Sequence, residues 1–173
     1  MITKDILDAY NQFLEERGLA LNAIIVGGTA LNLLGYISRQ TRDVDILAPE
    51  LSEALKLASE DFAKTRPTLW SNWLNNGPSS LVDILPTGWE TRLQDSYIGT
   101  ALRLKTLGRP DLLKTKLFAY CDRGTDLSDC IAMRPTPEEL DDALAWVILQ
   151  DGNELWPNHV RASFEVLTQQ LNG

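Results

Sequence analysis

Histidine and cysteine are scarce in this chain of 173 residues, which has one histidine and two cysteines. Cys121 and Cys130 do not form a Cys-x-x-Cys pair, so reduced thiols typical of the cytosol are expected. No histidine lies near either cysteine in sequence, and both are therefore expected to be chemically inert. His159 follows Pro157 at the predicted start of a helix, where a surface or capping role is expected.

Long hydrophobic runs and an excess of basic charge are also missing. No apolar run approaches the roughly 18 to 20 residues that span a bilayer, and the N-terminal residues do not resemble a signal peptide. These absences predict a cytoplasmic protein without a membrane partner. The net charge of -8 argues against an extended nucleic-acid-binding surface, because such surfaces are basic.

One segment, 103–116, departs from the acidic character of the chain. It contains a single acid, Asp111, and five basic residues: Arg103, Lys105, Arg109, Lys114 and Lys116. Two interpretations stay open, a solvated helix face or a surface that binds an anion.

The composition, 44% hydrophobic and 23% charged, is that of an ordinary globular protein. Apolar periodicity predicts a first helix capped by Thr3, strands at 23–26, 43–47 and 81–85, and helices at 29–34, 51–62 and 111–122. A capping box at 136–139 starts another helix, and 160–171 forms the last. We therefore predict an α+β fold, a small mixed sheet flanked by helices over about 1–100 with a helical C-terminal part over about 101–173 packed on it.

Asp43 and Asp45 are the first candidate functional residues. Side chains of a strand alternate between its faces, so the two carboxylates share one face while Val44 and Ile46 point to the core. Paired carboxylates are suitable ligands for Mg²⁺, which binds through one or two of them together with substrate phosphates. Asp83, in the apolar run 81–85, is the candidate third carboxylate, since an unpaired buried charge would be costly there.

Gly27 and Gly28 lie between the predicted strand at 23–26 and the following helix. Glycines at such a junction let the backbone approach a phosphate, and Thr29 adds a hydroxyl. The alternative is a tight turn with no ligand. The chain has neither G-x-x-x-x-G-K-[ST] nor G-x-G-x-x-G, which excludes the P-loop and the common dinucleotide-binding fingerprint.

Several separated motifs resemble those of nucleotidyltransferases of the DNA-polymerase-β type. Gly27-Gly28-Thr29 is followed by the spacing R-x-T-x-D-h-D, where h is apolar, over 39–45. A helix of the form D-L-h-x-x-K-h-x-A follows at 111–119, then Arg123, then D-h-x-D at 126–129. This order is most similar to the AbiEii/MenA-like group, whose members include toxins of toxin–antitoxin and abortive-infection systems. The resemblance covers roughly residues 24–131.

The resemblance implies a role for each matched residue. Nucleotide-binding residues would be Gly27, Gly28, Thr29, Arg39, Lys116 and Asp129, with Asp129 orienting Lys116. Metal-binding residues would be Asp43, Asp45 and Asp83, holding two Mg²⁺ ions, or Mn²⁺ in their place. Catalytic residues would be Asp43, Asp45, Asp83 and Lys116, with Asp83 as a candidate base. Arg39 and Arg42 flank the carboxylate pair, and each either neutralises it or contacts phosphate.

The implied activity is a Mg²⁺-dependent transfer of a nucleoside monophosphate from a nucleoside triphosphate to an acceptor hydroxyl. The acceptor would be RNA, protein or a small molecule, and an antitoxin protein is a further implied partner. The alternative hypothesis is a non-catalytic module of the same fold that binds a nucleotide or a partner protein. Retention of all three candidate carboxylates favours the enzyme.

Overall fold

The structure is a computed structural model, which describes residues 2–173. The chain divides into two compact units, the first ending at Leu107 and the second spanning Gly108–Gly173. Among residues 2–173, no helix is long and apolar enough to cross a membrane.

The first unit is built on a five-stranded mixed sheet. Its strands are β1 (Leu21–Val26), β2 (Val44–Ala48), β3 (Leu74–Asn75), β4 (Gln94–Ile98) and β5 (Leu102–Thr106). They lie in the order β3-β2-β1-β5-β4. β1 pairs in parallel with β5 and antiparallel with β2, whereas β4 and β5 are antiparallel and β2 and β3 are parallel. The predicted α+β class with a small mixed sheet is therefore confirmed.

Three helices accompany this sheet, namely α1 (Lys4–Glu16), α2 (Gly27–Leu33) and α3 (Glu53–Lys64). α1 begins where the Thr3 hydroxyl accepts a hydrogen bond from the backbone N–H of Ile6. An aromatic cluster packs α1 against α3, because Tyr10 lies 4.9 Å from both Phe62 and Trp73, measured between ring centroids. Trp73 is fully buried, and its indole N–H donates to the carbonyl of Ser59. These rings form much of the core of the first unit.

The two faces of the sheet differ in polarity. Ala23, Ile25, Leu102 and Leu104 alternate on the buried face. On the other face of β1 and β5, Asn22, Arg103 and Lys105 are exposed and Ile24 is half-buried. Val26, on this second face, is also buried, so the predicted strand at 23–26 is buried on one face and mostly buried on the other, and exposure begins at Asn22.

The second unit is helical. Its helices are α4 (Arg109–Arg123), α5 (Leu127–Ala132), α6 (Pro137–Ile148) and α7 (Trp156–Asn172). The predicted capping box is present at α6, where the Thr136 hydroxyl accepts from the N–H of Glu139 and the Glu139 carboxylate accepts from the N–H of Thr136. α4 ends at Gly124, which adopts a left-handed conformation with φ of 73°.

The predicted strand at 81–85 is wrong. The structure has a 3-10 helix at Ser79–Asp83, and the side chain of Asp83 is exposed. A short apolar run alone does not distinguish a strand from a helical turn. In the sheet, β1 and β2 each have a strand on both sides. The run 81–85 therefore has no free edge of either strand to pair with. Asp83 is therefore not the buried strand carboxylate that its sequence context indicated.

β4 and β5 were not predicted, and they move the limit of the sheet-containing unit from about residue 100 to Leu107. The sequence of β5, Leu-Arg-Leu-Lys-Thr, alternates apolar and polar residues as a half-exposed strand should. The polar positions of this strand are the cations Arg103 and Lys105, so its alternation overlaps the start of the basic segment.

Candidate functional site

Asp45 lies against the junction between β1 and α2. It is paired with Val26, the last residue of β1, in the antiparallel register with β2. Gly27 follows with φ of 72°, a left-handed conformation that favours glycine. A Cβ on Gly27 would overlap Oδ2 of Asp45. The glycine therefore serves two purposes, since it permits the backbone turn and leaves room for the carboxylate.

Asn75 provides a partner for the same carboxylate. Its side-chain amide donates to Oδ1 of Asp45 over 3.3 Å, from β3, the strand next to β2. The Asn75 side-chain oxygen accepts from the N–H of Gly77 at 2.8 Å, which fixes the orientation of the amide. Sequence reasoning missed Asn75, because its contact depends on a two-residue strand that has no clear pattern.

Two buried threonines connect the glycine junction to the start of β2. The Thr29 hydroxyl donates to the backbone carbonyl of Asp43 over 2.6 Å. Because this hydrogen bond uses the only proton of the Thr29 hydroxyl, the Thr41 hydroxyl must donate across the 2.7 Å between the two oxygens. Thr29 and Thr41 are 2% and 5% exposed, so water does not compete with this chain of hydrogen bonds. It fixes the backbone of Asp43 directly before β2.

The predicted contact of Thr29 with a triphosphate stays a prediction, and the structure gives this hydroxyl a positioning role. The same network accounts for the threonine in the R-x-T-x-D-h-D spacing, which is Thr41. Sequence reasoning gave Thr41 no role, since a hydroxyl that supports the backbone has the same sequence signal as one that binds a ligand.

Arg39 lies beside Gly28. A Cβ on Gly28 would be 2.9 Å from Cγ2 of Thr41 and 3.3 Å from Nη2 of Arg39. The Asn32 side-chain amide donates to the carbonyl of Arg39 at 3.2 Å and so holds the loop in place. Arg39 is exposed, which puts a cation within reach of solvent next to the glycine pair. Arg42 instead lies over the ring of Trp70, with Cζ 5.7 Å from the ring centroid.

The structure brings together Gly27, Gly28, Thr29, Arg39, Asp43 and Asp45 in the first unit. The 3-10 helix that ends at Asp83 packs near β2. Within residues 2–173, no three Asp, Glu, His or Cys side chains are close enough together to hold a metal ion. The carboxylate pair still fits Mg²⁺ chemically, since this ion is held by one or two carboxylates and completes its octahedral shell with water and substrate phosphates.

Lys116 and Asp129 lie together in the second unit. The Lys116 ammonium is 2.8 Å from Oδ2 of Asp129 and 2.8 Å from Oδ1 of Asp126, and the Lys116 side chain is 8% exposed. Burial alone would lower the pKa of Lys116, but the hydrogen bonds and charges of the two carboxylates outweigh it and raise the pKa above its ordinary value. Lys116 is therefore a permanently charged, doubly paired cation. Asp126, which was not among the predicted site residues, is its second partner.

The cysteines and the histidine have structural environments. Burial raises the pKa of Cys121 to about 11 and that of Cys130 to about 12, so both thiols are protonated at neutral pH. His159 Nε2 lies 2.7 Å from the carbonyl oxygen of Cys121, within the helical unit. None of the three resembles an activated catalytic group.

The mixed sheet, the glycine junction and the carboxylate beside it define a protein with the nucleotidyltransferase fold. A family model described as "Nucleotidyltransferase of unknown function (DUF6036)" matches residues 4–143. The chain belongs to this family, and the match covers the first unit from α1 onward together with α4, α5 and part of α6 of the second unit. Searches for similar curated proteins and similar solved structures found no match.

Proposed function

We propose that this protein is a Mg²⁺-dependent nucleotidyltransferase that transfers a nucleoside monophosphate from a nucleoside triphosphate to an acceptor hydroxyl. The observation that carries the proposal is the position of Asp45, whose carboxylate occupies the space left by Gly27 at the glycine junction. Membership of a family described as nucleotidyltransferases supports this reaction class. The nucleotide and the acceptor are what the resemblance to nucleotidyltransferases of the DNA-polymerase-β type implies, and the metal is inferred from the chemistry of the carboxylate pair.

In the proposed reaction the acceptor oxygen forms a bond to the α-phosphorus, the bond from that phosphorus to the bridging oxygen breaks, and pyrophosphate leaves. The hydroxyl proton passes to a carboxylate, and Asp83 is our candidate for that base. Mg²⁺ bound by Asp43 and Asp45 would neutralise phosphate charge and polarise the α-phosphate. Arg39 adds positive charge beside Gly28, while Thr41 and Thr29 keep the backbone of Asp43 in place. Catalysis of this kind depends on positioning and charge neutralisation.

The test compares wild type with Asp45→Asn, which removes one negative charge and keeps the size of the side chain. Binding of each of the four nucleoside triphosphates is measured by calorimetry with and without Mg²⁺, and pyrophosphate release is followed in the presence of a cell extract as acceptor pool. Asp61→Asn is the control, because Asp61 is an exposed acid on α3 whose carboxylate pairs with Lys64, one turn away.

We expect Mg²⁺-dependent binding in wild type and in Asp61→Asn, and a loss of binding and turnover in Asp45→Asn. If wild type binds no triphosphate, the proposal is wrong. If it binds a triphosphate and never labels an acceptor, the protein is a nucleotide-binding module of the same fold.

The resemblance to the AbiEii/MenA-like group supports a narrower proposal, that the enzyme acts as a toxin controlled by an antitoxin protein. Induced expression of wild type should then arrest bacterial growth, and Asp45→Asn should not. Growth unaffected by active wild-type enzyme would refute the toxin role and leave the transferase proposal intact.

A further inference from the structure

The structure divides the basic segment 103–116 into two groups. Three of its five cations have carboxylate partners within 2.8 Å in the second unit: Arg109 with Glu139 at 2.6 Å, Lys114 with Asp142 at 2.7 Å, and Lys116 with Asp126 and Asp129 at 2.8 Å. Arg103 and Lys105 belong to β5 in the first unit and differ from the other three. The Arg103 guanidinium has no hydrogen bond or ion pair to another residue of the described range 2–173, and Lys105 lies 4.0 Å from the exposed Asp95. An exposed ion pair at that distance contributes little.

Arg103 and Lys105 are two residues apart on one strand, so their side chains leave the same face of the sheet. Their Cα atoms are roughly 6 to 7 Å apart at the rise of a strand, which allows two long cationic side chains to converge on one anion. This face carries a groove of about 500 Å³. Its apolar lining is aliphatic, and its charged side chains are of both signs. The lining includes Asn22, Ile24, Asp95, Ile98, Arg103 and Lys105.

The groove shares its face with the carboxylate site. On β1, Val26 is paired with Asp45 of β2, and Ile24, two residues earlier on the same face, is paired with Lys105 of β5. Two strand spacings and a two-residue offset put the Cα atoms of Lys105 and Asp45 about 12 Å apart. The Lys105 ammonium lies toward Asp95 of β4, on the side of β5 away from β1, so a ligand that it holds must itself extend across β1 to reach the carboxylates.

We propose that this groove binds the acceptor and that the acceptor is a small phosphomonoester with a free hydroxyl. The inference rests on the proposed transferase function, since it names the substrate class of that site. A phosphate dianion matches the charge of the two cations. The carboxylate of Asp95 can accept a hydrogen bond from a hydroxyl group of the ligand, and the side-chain amide of Asn22 can donate one to it. Arg103 and Lys105 hold the phosphate so that a hydroxyl of the same molecule points to Asp45.

Size and composition favour a small molecule over a nucleic-acid strand. The volume is within the 300 to 1,000 Å³ range of small-molecule sites. Single-stranded nucleic acids are usually held by a long basic groove with aromatic side chains that stack on the bases. Within the described range 2–173, none of the residues that line the groove is aromatic, and the chain carries a net charge of -8.

The experiment measures binding of ribose 5-phosphate to the full chain by calorimetry in EDTA, without nucleotide, and again with saturating Mg²⁺ and nucleoside triphosphate. The test variant is Arg103→Gln with Lys105→Gln, which keeps side-chain length and removes two charges. The control is Lys4→Gln with Lys64→Gln, which removes two charges from exposed helix positions of the same unit. Thermal denaturation of each variant verifies that it is folded.

We expect saturable binding that inorganic phosphate competes away, a roughly tenfold or greater loss in the test variant, and no change in the control. Absence of binding to wild type, or equal affinity in the test variant, overturns the inference. Competition between ribose 5-phosphate and the triphosphate also overturns it, because an acceptor must bind beside the nucleotide. A single-stranded RNA that binds more tightly through the same two residues overturns the choice of a small acceptor.

The two proposals fail in distinguishable ways. Binding of a triphosphate without binding of ribose 5-phosphate overturns the acceptor inference and leaves the transferase function standing. Binding of ribose 5-phosphate that depends on Arg103 and Lys105, without binding of any triphosphate, overturns the transferase function and with it the acceptor role of the groove.

Discussion

Replacing Gly27 with alanine should damage the carboxylate site more than it damages the backbone. Gly27 has φ of 72°, and Gly35 has φ of 77°. A Cβ at position 27 would overlap Oδ2 of Asp45, whereas a Cβ at position 35 would meet nothing within 4 Å. Gly35→Ala is therefore a matched control that carries the backbone strain alone.

The expected magnitudes follow from these environments. Alanine in the left-handed conformation costs about 1 to 2 kcal/mol, and this cost applies to both variants. Gly27→Ala must also displace the Asp45 carboxylate and disturb its hydrogen bond from Asn75, which adds about 1 to 2 kcal/mol. We expect a loss of about 1 to 2 kcal/mol in the free energy of unfolding for Gly35→Ala and about 2 to 4 kcal/mol for Gly27→Ala.

Urea denaturation measures the stability difference, and calorimetry measures Mg²⁺-dependent nucleotide binding. Gly27→Ala should bind nucleotide at least roughly tenfold more weakly, while Gly35→Ala keeps wild-type affinity. In Gly27→Ala combined with Asp45→Ala, the overlap disappears, so the double variant should be more stable than the sum of the single effects predicts. Strict additivity, together with nucleotide binding unchanged in Gly27→Ala, would refute the assigned contact between Gly27 and Asp45.

Three further outcomes are expected. Thr41→Val removes a buried hydroxyl donor, so it should cost about 1 to 2 kcal/mol of stability and weaken nucleotide binding. Thr41→Ser keeps the hydroxyl and should retain both properties. If the two variants behave equally in denaturation and binding, the assigned chain of hydrogen bonds is contradicted. Lys116→Met removes the cation from the buried Asp129 and one of the two cations of Asp126, and it should cost about 3 to 5 kcal/mol of stability. Lys64→Met, at an exposed position, should change stability little. Because the folded-state pKa of Lys116 is raised above 10.5, its contribution to stability should be constant from pH 7 to about 10 and decline only at higher pH. An alkaline loss of stability that persists in Lys116→Met would assign that loss to other groups. Cys121 and Cys130 should not react with a thiol reagent at pH 7.5 in the native state and should react after denaturation; rapid native labelling would show that burial does not control their pKa.

Local patterns predicted many of the elements, because these elements depend on neighbours in the sequence. Thr3 caps α1, and the capping box at Thr136 starts α6, as expected from side chains that bond to the backbone three residues away. The strands on either side of the glycine junction were also predicted, from a continuous apolar run and from alternation. Gly27 and Asp45 were therefore candidates before their contact was visible.

Residues 81–85 and 102–106 show where local patterns were insufficient. Both stretches have the composition of a strand, but only the second pairs in the sheet. A strand needs a partner edge for its backbone hydrogen bonds. β5 pairs with β4, directly before it, and enters the sheet through β1, about 80 residues earlier in the chain. Pairing at that separation is decided by the packing of the whole unit.

The amino-acid sequence by itself determined the class of the fold, the glycine junction, the carboxylate pair and the presence of an unusual basic segment. The tertiary structure decided which partners these side chains have, because charges and hydrogen-bonding groups interact with their neighbours in space and not with their neighbours in sequence. It assigned Thr29 and Thr41 to the backbone of Asp43, and it gave Lys116 two carboxylate partners. It also left Arg103 and Lys105 as the cations of an exposed groove, a distinction that five basic residues in one stretch of sequence do not contain.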